Sequence, residues 1–370
     1  MPIDEERIAA RFLELVGFNS PSKREGVVAR WLEAEFKKLG LTVQEDESAS
    51  ETGSDTGNLI VRLPGEGPAL LFAAHMDVVE EMEGVEVREA HGSFRTDGST
   101  ILGADDKAGI VAILEAVTAL VEDELPHRPL ELVFTTCEEI GLCGVRALDK
   151  DKLAAEYGFV FDSGKPTAHI ITSSPSQDEH YYKIQGKAAH AGVAPEQGIN
   201  AISMAAWAIA QLPIGRLSPT TTANIGKITG GTATNIVPDL VEVWGEVRSF
   251  SEDELAEQSQ LMEESFQRAA AKFGGKVEGK CTRAFTGYSI PLKDPVVQLA
   301  LEAVHNIGVD PQLVSSGGGS DANVLNDFGI PTVNLGVGME GAHTKEESVE
   351  LVDLTLAAQL ALALATGKNL

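Results

Sequence analysis

The chain has 370 residues, enough for two domains of ordinary size. Its 43% hydrophobic and 23% charged residues form a globular balance that excludes extended disorder. Lys and Arg number 29 against 56 Asp and Glu, a formal charge of −27, so nucleic-acid phosphates and anionic lipid surfaces are excluded as partners.

The spacing of apolar residues predicts amphipathic helices over 5–18 and 23–39, the second stopped by Gly40. Short apolar runs at 58–63, 69–74, 130–136 and 158–161 predict buried strands, with a strongly apolar helix over 108–121 between the second and third. Such alternation implies a mostly parallel sheet with helices on both faces. From about Ser176 the pattern changes. Strands are predicted at 179–185, 222–228, 241–248 and 276–284, with helices at 200–212 and 253–273. The order βαββαβ is that of a ferredoxin-like α+β unit of about 110 residues. After Gly287 the first pattern resumes, with a helix at 295–305, a strand at 331–336 and a final helix at 354–366. The expected fold is therefore an α/β catalytic domain built from residues 1–175 and 287–370, interrupted by a smaller domain at 176–286.

Three cysteines, Cys137, Cys143 and Cys281, make neither a disulfide framework nor a four-cysteine zinc site. No apolar run reaches the roughly 18 residues of a membrane span. The start, Met-Pro-Ile-Asp-Glu-Glu-Arg, has no basic region followed by an apolar core. A soluble cytoplasmic protein is expected.

The polar residues fall at informative places. The apolar strand 69–74 ends in His75-Met-Asp77, the strand 130–136 in Cys137-Glu138-Glu139, and the strand 158–161 in Asp162. A fourth delivery comes where the strand 331–336 is followed by Gly341-Ala-His343. In open α/β sheets ligands sit beyond the carboxyl ends of the strands, so these residues converge on one edge. Two histidines with several carboxylates form a divalent-metal set, most naturally zinc. There are too many carboxylates for one tetrahedral ion. A binuclear centre fits better, with ions roughly 3.5–4 Å apart.

His75-Met-Asp77, Gly103-Ala-Asp105-Asp106-Lys107-Ala-Gly109, Glu138-Glu139-Ile-Gly141, Phe161-Asp162-Ser-Gly164 and Gly341-Ala-His343 resemble, in order, the motifs of the M20 family of co-catalytic zinc peptidases. The Gly-Ala-Asp-Asp-Lys-Ala-Gly form resembles the peptidase T-like branch. The resemblance implies two divalent ions per chain, zinc foremost, with cobalt or manganese as substitutes. His75 and Asp162 would hold one ion, Glu139 and His343 the other, and Asp105 would bridge them, with a strained peptide bond after it. Asp77 would hydrogen-bond the far nitrogen of His75. Glu138 would be the general base, taking a proton from the shared water and passing it to the leaving amine.

The inserted domain would be a lid of the dimerisation type. His190 and Asn235 would stabilise the oxyanion there, His190 reaching the site by lid closure or from the partner of a homodimer. Arg248 and the loop Gly317, Gly318 and Gly319, placed before a helix in the sheet domain, would grip a substrate carboxylate. The expected activity is exopeptidase hydrolysis of short peptides, of the tripeptide-aminopeptidase kind. An amidase or deacylase of N-acyl amino acids and a glutamate-type carboxypeptidase are the alternatives, because no carboxylate committed to a free N-terminal amine is visible. A catalytically silent metal-binding protein is disfavoured by Glu138, which such a scaffold would not need.

Overall fold

Apolar runs too short to make helices become buried strands, and four of them lie side by side in the computed structural model, which describes residues 3–367. Leu130–Thr135, Leu70–His75, Tyr157–Gly164 and Thr332–Met339 pair in that order, all in parallel. Parallel pairs need crossover connections, and a sheet covered on both faces reads as unbroken apolar sequence rather than as alternation. That is how Leu70–His75 and Leu130–Thr135 read, buried at every position. Antiparallel strands extend both margins of the sheet. Leu59–Leu63 pairs with 130–135 and carries Val43–Glu45 beyond it. On the far side His169–Ser174 runs antiparallel to 332–339. The α/β class and mostly parallel centre expected from the sequence are observed.

The helix Ala104–Glu122 is buried along most of its length, which explains why it is apolar all round. Its buried Glu115 pairs with Arg7 at 2.7 Å and Arg11 at 3.0 Å on the first helix, Glu5–Val16. Gly109 lets this helix lie against the sheet. A Cβ there would strike the Phe161 carbonyl and come within 2.6 Å of the Asp106 carboxylate. On the sheet, Phe72 meets Phe159 and Phe161 edge-on at 6.1 and 5.3 Å, and burying each such ring contributes about 1.5–3 kcal/mol. A small antiparallel sheet of Val87–Ala90, Ser93–Thr96 and Ser348–Glu350 escaped the sequence reading. Its strands are short, and Val87–Ala90 is mostly exposed, so no apolar signal marks it.

The second unit comprises Ser174–Tyr288 with Gly317–Gly319. Its long strands are antiparallel in the order Thr221–Gly230, Leu240–Ser249, Ser176–Gln185, Lys276–Phe285. This is the strand order of a βαββαβ ferredoxin-like unit, with the helices Ala201–Ala210 and Glu252–Phe273 packed on it. Tyr182 and Phe266 stack at 3.9 Å in its core. The unit begins two residues earlier and ends two residues later than the 176–286 expected. It also includes the three glycines, which the sequence reading had put in the sheet domain. The reason is local. Gly318 O accepts from Ser174 Oγ at 2.8 Å, Gly317 O accepts from Arg248, and Gly319 packs against the Phe285 ring. The ends of the other expected domain, residues 1–2 and 368–370, lie outside the described residues.

Candidate active site

The four parallel strands end at one edge, and each delivers a polar residue there. His75 closes its strand and is buried. Its Nε2 lies 3.0 Å from Asp105 Oδ1 and 3.8 Å from Asp162 Oδ1. His343 Nε2 lies 3.0 Å from Glu139 Oε2 and 3.3 Å from Asp105 Oδ2. Asp105 therefore offers one oxygen to each imidazole. It sits where the long helix is broken, at non-helical φ/ψ, and the Asp105–Asp106 peptide bond is cis. His75, Asp105 and Asp162 form one candidate ion-binding group, and Asp105, Glu139 and His343 another.

The electrostatics call for cations. Hydrogen bonds donated to the Asp105 and Glu139 carboxylates push His343 up to about 10. Burial works against a charged His75, yet contacts with Asp105 and Asp77 raise it well above the ordinary histidine range. Burial would raise Asp105, but the two imidazoles outweigh it and hold its carboxyl low. Glu138 and Asp162 are pushed up by burial, with neighbouring carboxylates adding to the effect. Among the described residues Glu139 Oε1 is buried without a hydrogen-bond partner. A buried carboxylate oxygen left unpaired is costly, and a divalent ion supplies what it lacks. The donor set of imidazoles and carboxylates suits such an ion.

Asp77 faces both His75 and the acidic pair. His75 Nδ1 hydrogen-bonds the Asp77 backbone carbonyl at 2.9 Å and lies 3.5 Å from its carboxylate. That carboxylate also accepts from the backbone N–H of Glu138 at 2.9 Å and of Glu139 at 3.2 Å, and from Ser22 Oγ at 2.6 Å. It belongs to a run of four successive N–H groups that donate to side-chain oxygens. Thr136 N donates to Asn58 Oδ1 at 3.0 Å and Cys137 N to Glu25 Oε1 at 2.9 Å. Cys137 adopts φ +52, uncommon outside glycine, so the chain turns sharply just before the two glutamates.

Sequence reasoning missed Glu25, Asn58, Asn334, Asp321 and Glu347. Asn334 accepts from the Asp162 N–H at 3.1 Å and donates to its carbonyl at 2.8 Å. Asp321 is buried and accepts from Thr135 Oγ1 at 2.5 Å. Burial lifts its carboxyl to about 6. None of these lies in a metal-ligand pattern. The one available signal was a polar residue inside an otherwise apolar strand, as at Asn334.

In the second unit, His190 and Asn235 are exposed on facing segments. Ala191 N donates to Asn235 O at 2.9 Å, and His190 bridges Ile236. Arg248 already holds Glu246, with Nε and Nη2 at 3.1 and 3.0 Å from its two oxygens, and Nη1 lies 3.4 Å from Gly317 O. The helix that the glycine loop was expected to open, Asp321–Asp327, is short. Its N-terminus is closed by a capping box between Ser320 and Asn323, so its first turn is satisfied by its own side chains.

A parallel α/β sheet that brings two imidazoles and a cluster of carboxylates to its carboxyl edge is an arrangement suited to a metal-dependent hydrolase. Residues 71–366 match the peptidase family M20/M25/M40, and the chain belongs to that family. It is a hydrolase acting on peptide bonds. The structure of aminopeptidase PepT from Bacillus cereus is similar with a TM-score of 0.88, at 41% identity, covering 99% of each chain. That of a tripeptidase from Staphylococcus aureus is similar with a TM-score of 0.93, at 37% identity, again covering 99% of each. The uncharacterized protein YqjE of Bacillus subtilis is 42% identical over 364 residues, 98% of each chain. The M20 resemblance read from the motifs, with its peptidase T-like form, is borne out.

Proposed function

We propose that the chain is a binuclear metallo-exopeptidase acting on short peptides, with tripeptides as leading substrates. The position of Asp105 carries the binuclear part, with its two oxygens 3.0 and 3.3 Å from different imidazoles. The aminopeptidase and tripeptidase similarities support the substrate class. His75 and Asp162 would hold one ion and Glu139 and His343 the other, with Asp105 within reach of both. Zinc is the natural occupant of such a nitrogen and oxygen set, with cobalt or manganese as substitutes.

A metal pair held there would supply an acidified water and a polarised scissile carbonyl. Glu138 takes the proton from the attacking water and delivers it to the leaving amine. Its buried setting, which raises the carboxyl, suits a group that must first accept a proton and then release it. Asp77 keeps Glu138 and Glu139 in register by holding both backbone N–H groups. In the inserted unit, His190 and Asn235 stabilise the oxyanion, while Arg248 with Gly317, Gly318 and Gly319 receives the substrate carboxylate. This unit acts as a lid in a cytoplasmic homodimer.

The test combines metal analysis of protein purified without chelator with assays of matched tripeptides, free or acetylated at the N-terminus. Two ions per chain and a strong preference for the free amine are expected. One ion with full activity would sink the binuclear reading. Equal turnover of acetylated peptides would move the activity to an N-acyl amidase.

A further inference from the structure

Glu347 is one of the most deeply buried carboxylates in the larger unit, 1% exposed, and it belongs to none of the ligand groups. Both of its oxygens are engaged by backbone. Oε2 accepts from Leu102 N at 2.8 Å and Gly103 N at 2.7 Å, and Oε1 accepts from Asp105 N at 2.9 Å. These donors converge because the chain turns at Gly103, which has φ +70 and no room for a side chain. A Cβ there would sit 2.6 Å from Met82 Sδ. The far side of Glu347 is equally constrained. Ser348 and Glu340 exchange backbone hydrogen bonds of 2.8 and 2.9 Å, closing the loop that carries His343. Ser348 then enters the strand Ser348–Glu350. One carboxylate thus ties the base of the His343 loop to the backbone of Asp105.

We infer that Glu347 is a positioning residue that sets the spacing between Asp105 and His343, and so governs the ion site those two share with Glu139. This inference rests on the binuclear reading above. Its consequence is asymmetric. Glu347 reaches two of the three members of the Asp105–Glu139–His343 group. It reaches only Asp105 of the other group, whose His75 and Asp162 are held by their own strands and by Asn334. Glu347→Gln keeps the volume but sets an NH₂ against a row of N–H donors, so at least one of the three contacts is lost.

The experiment titrates zinc into chelator-stripped full-length protein by calorimetry, with cobalt absorption as a second readout. Wild type, Glu347→Gln, His343→Ala and Glu131→Gln are compared. Glu131 is the control, because it too is buried and accepts two backbone N–H groups, those of Ala154 and Ala155 at 2.7 and 2.9 Å. Wild type should bind two ions. Glu347→Gln should keep one binding step near wild type and weaken the other by about 10–100-fold, the usual effect of losing a partner that orients metal ligands. His343→Ala should weaken the same step, and adding Glu347→Gln to it should change little. Glu131→Gln should lower thermal stability with both steps intact. Two unaltered steps in Glu347→Gln, or equal loss of both, would overturn the assignment. If Glu347→Gln does not fold, Glu347→Asp carries the same test by withdrawing the carboxylate one methylene. Failure of both to fold, with Glu131→Gln folded, would make Glu347 a folding residue and also overturn it. A wild type binding fewer than two ions would instead refute the binuclear reading.

Discussion

The carboxylate of Asp77 holds the backbone of Glu138, accepting its N–H at 2.9 Å across 61 residues of sequence. The second oxygen takes the neighbouring N–H of Glu139 at 3.2 Å. The orientation of the acidic pair therefore depends on a residue that ends another strand. Asp77→Asn offers one oxygen to two donors and turns an NH₂ toward one of them. We expect a stability loss of about 1–3 kcal/mol from the unsatisfied contact. Turnover should fall about 10–100-fold, as for other partners of metal ligands. Thermal unfolding and steady-state kinetics measure both. Wild-type turnover in a folded Asp77→Asn would show that the clamp is dispensable.

Glu138→Gln and Glu139→Gln should separate. The first removes the proposed general base and should cost about 10²–10⁴-fold in kcat with metal content intact. The second removes a proposed metal ligand and should lower the metal content. Metal analysis beside activity distinguishes them, and a Glu138→Gln enzyme near full turnover would mean the two roles are exchanged.

Metal uptake should be linked to pH through His343. In the metal-free protein its hydrogen bonds raise it from 6.5 to about 10, so it carries a proton at pH 8. Binding an ion must displace that proton, so affinity should rise with pH up to about 10 and level off above it. Calorimetry at pH 8 in buffers of different ionisation heat should reveal proton release. The same shift stabilises the metal-free fold. That contribution is complete below about 6.5 and is lost as pH rises through about 10. Thermal scans of stripped protein should show the loss, and absence of proton release would remove His343 from the ligand set.

Arg248→Ala should act mainly on KM for peptides with a free C-terminal carboxylate. Losing charge-assisted hydrogen bonds of about 1.5–3 kcal/mol corresponds to roughly 10–150-fold. C-terminally amidated peptides should lose less. Equal losses for both would leave Arg248 as the structural partner of Glu246.

Gly109→Ala should destabilise the larger unit, by about 1–3 kcal/mol, because its Cβ meets the Phe161 carbonyl and the Asp106 carboxylate. Chemical denaturation reads this directly, and an unchanged midpoint would mean that the helix can shift away from the sheet.

Much of this protein was legible from the order of its residues. Uninterrupted apolar runs marked the central strands, because a strand covered on both faces has no polar side to show. The residues after these runs come together because parallel strands all end at one edge. So His75, Glu138, Glu139, Asp162 and the motif carrying Asp105 could be named before any coordinate. The supporting groups could not. Glu347 meets Leu102, Gly103 and Asp105 across 242 to 245 residues, Asn58 meets Thr136 across 78, and Glu25 meets Cys137 across 112. Asp77 was noticed beside His75, but its carboxylate's hold on the Glu138 and Glu139 backbone was not. Residue type and periodicity decide which face of an element is buried. A hydrogen bond is decided by distance and direction within a few tenths of an ångström, and only the packed tertiary structure sets those.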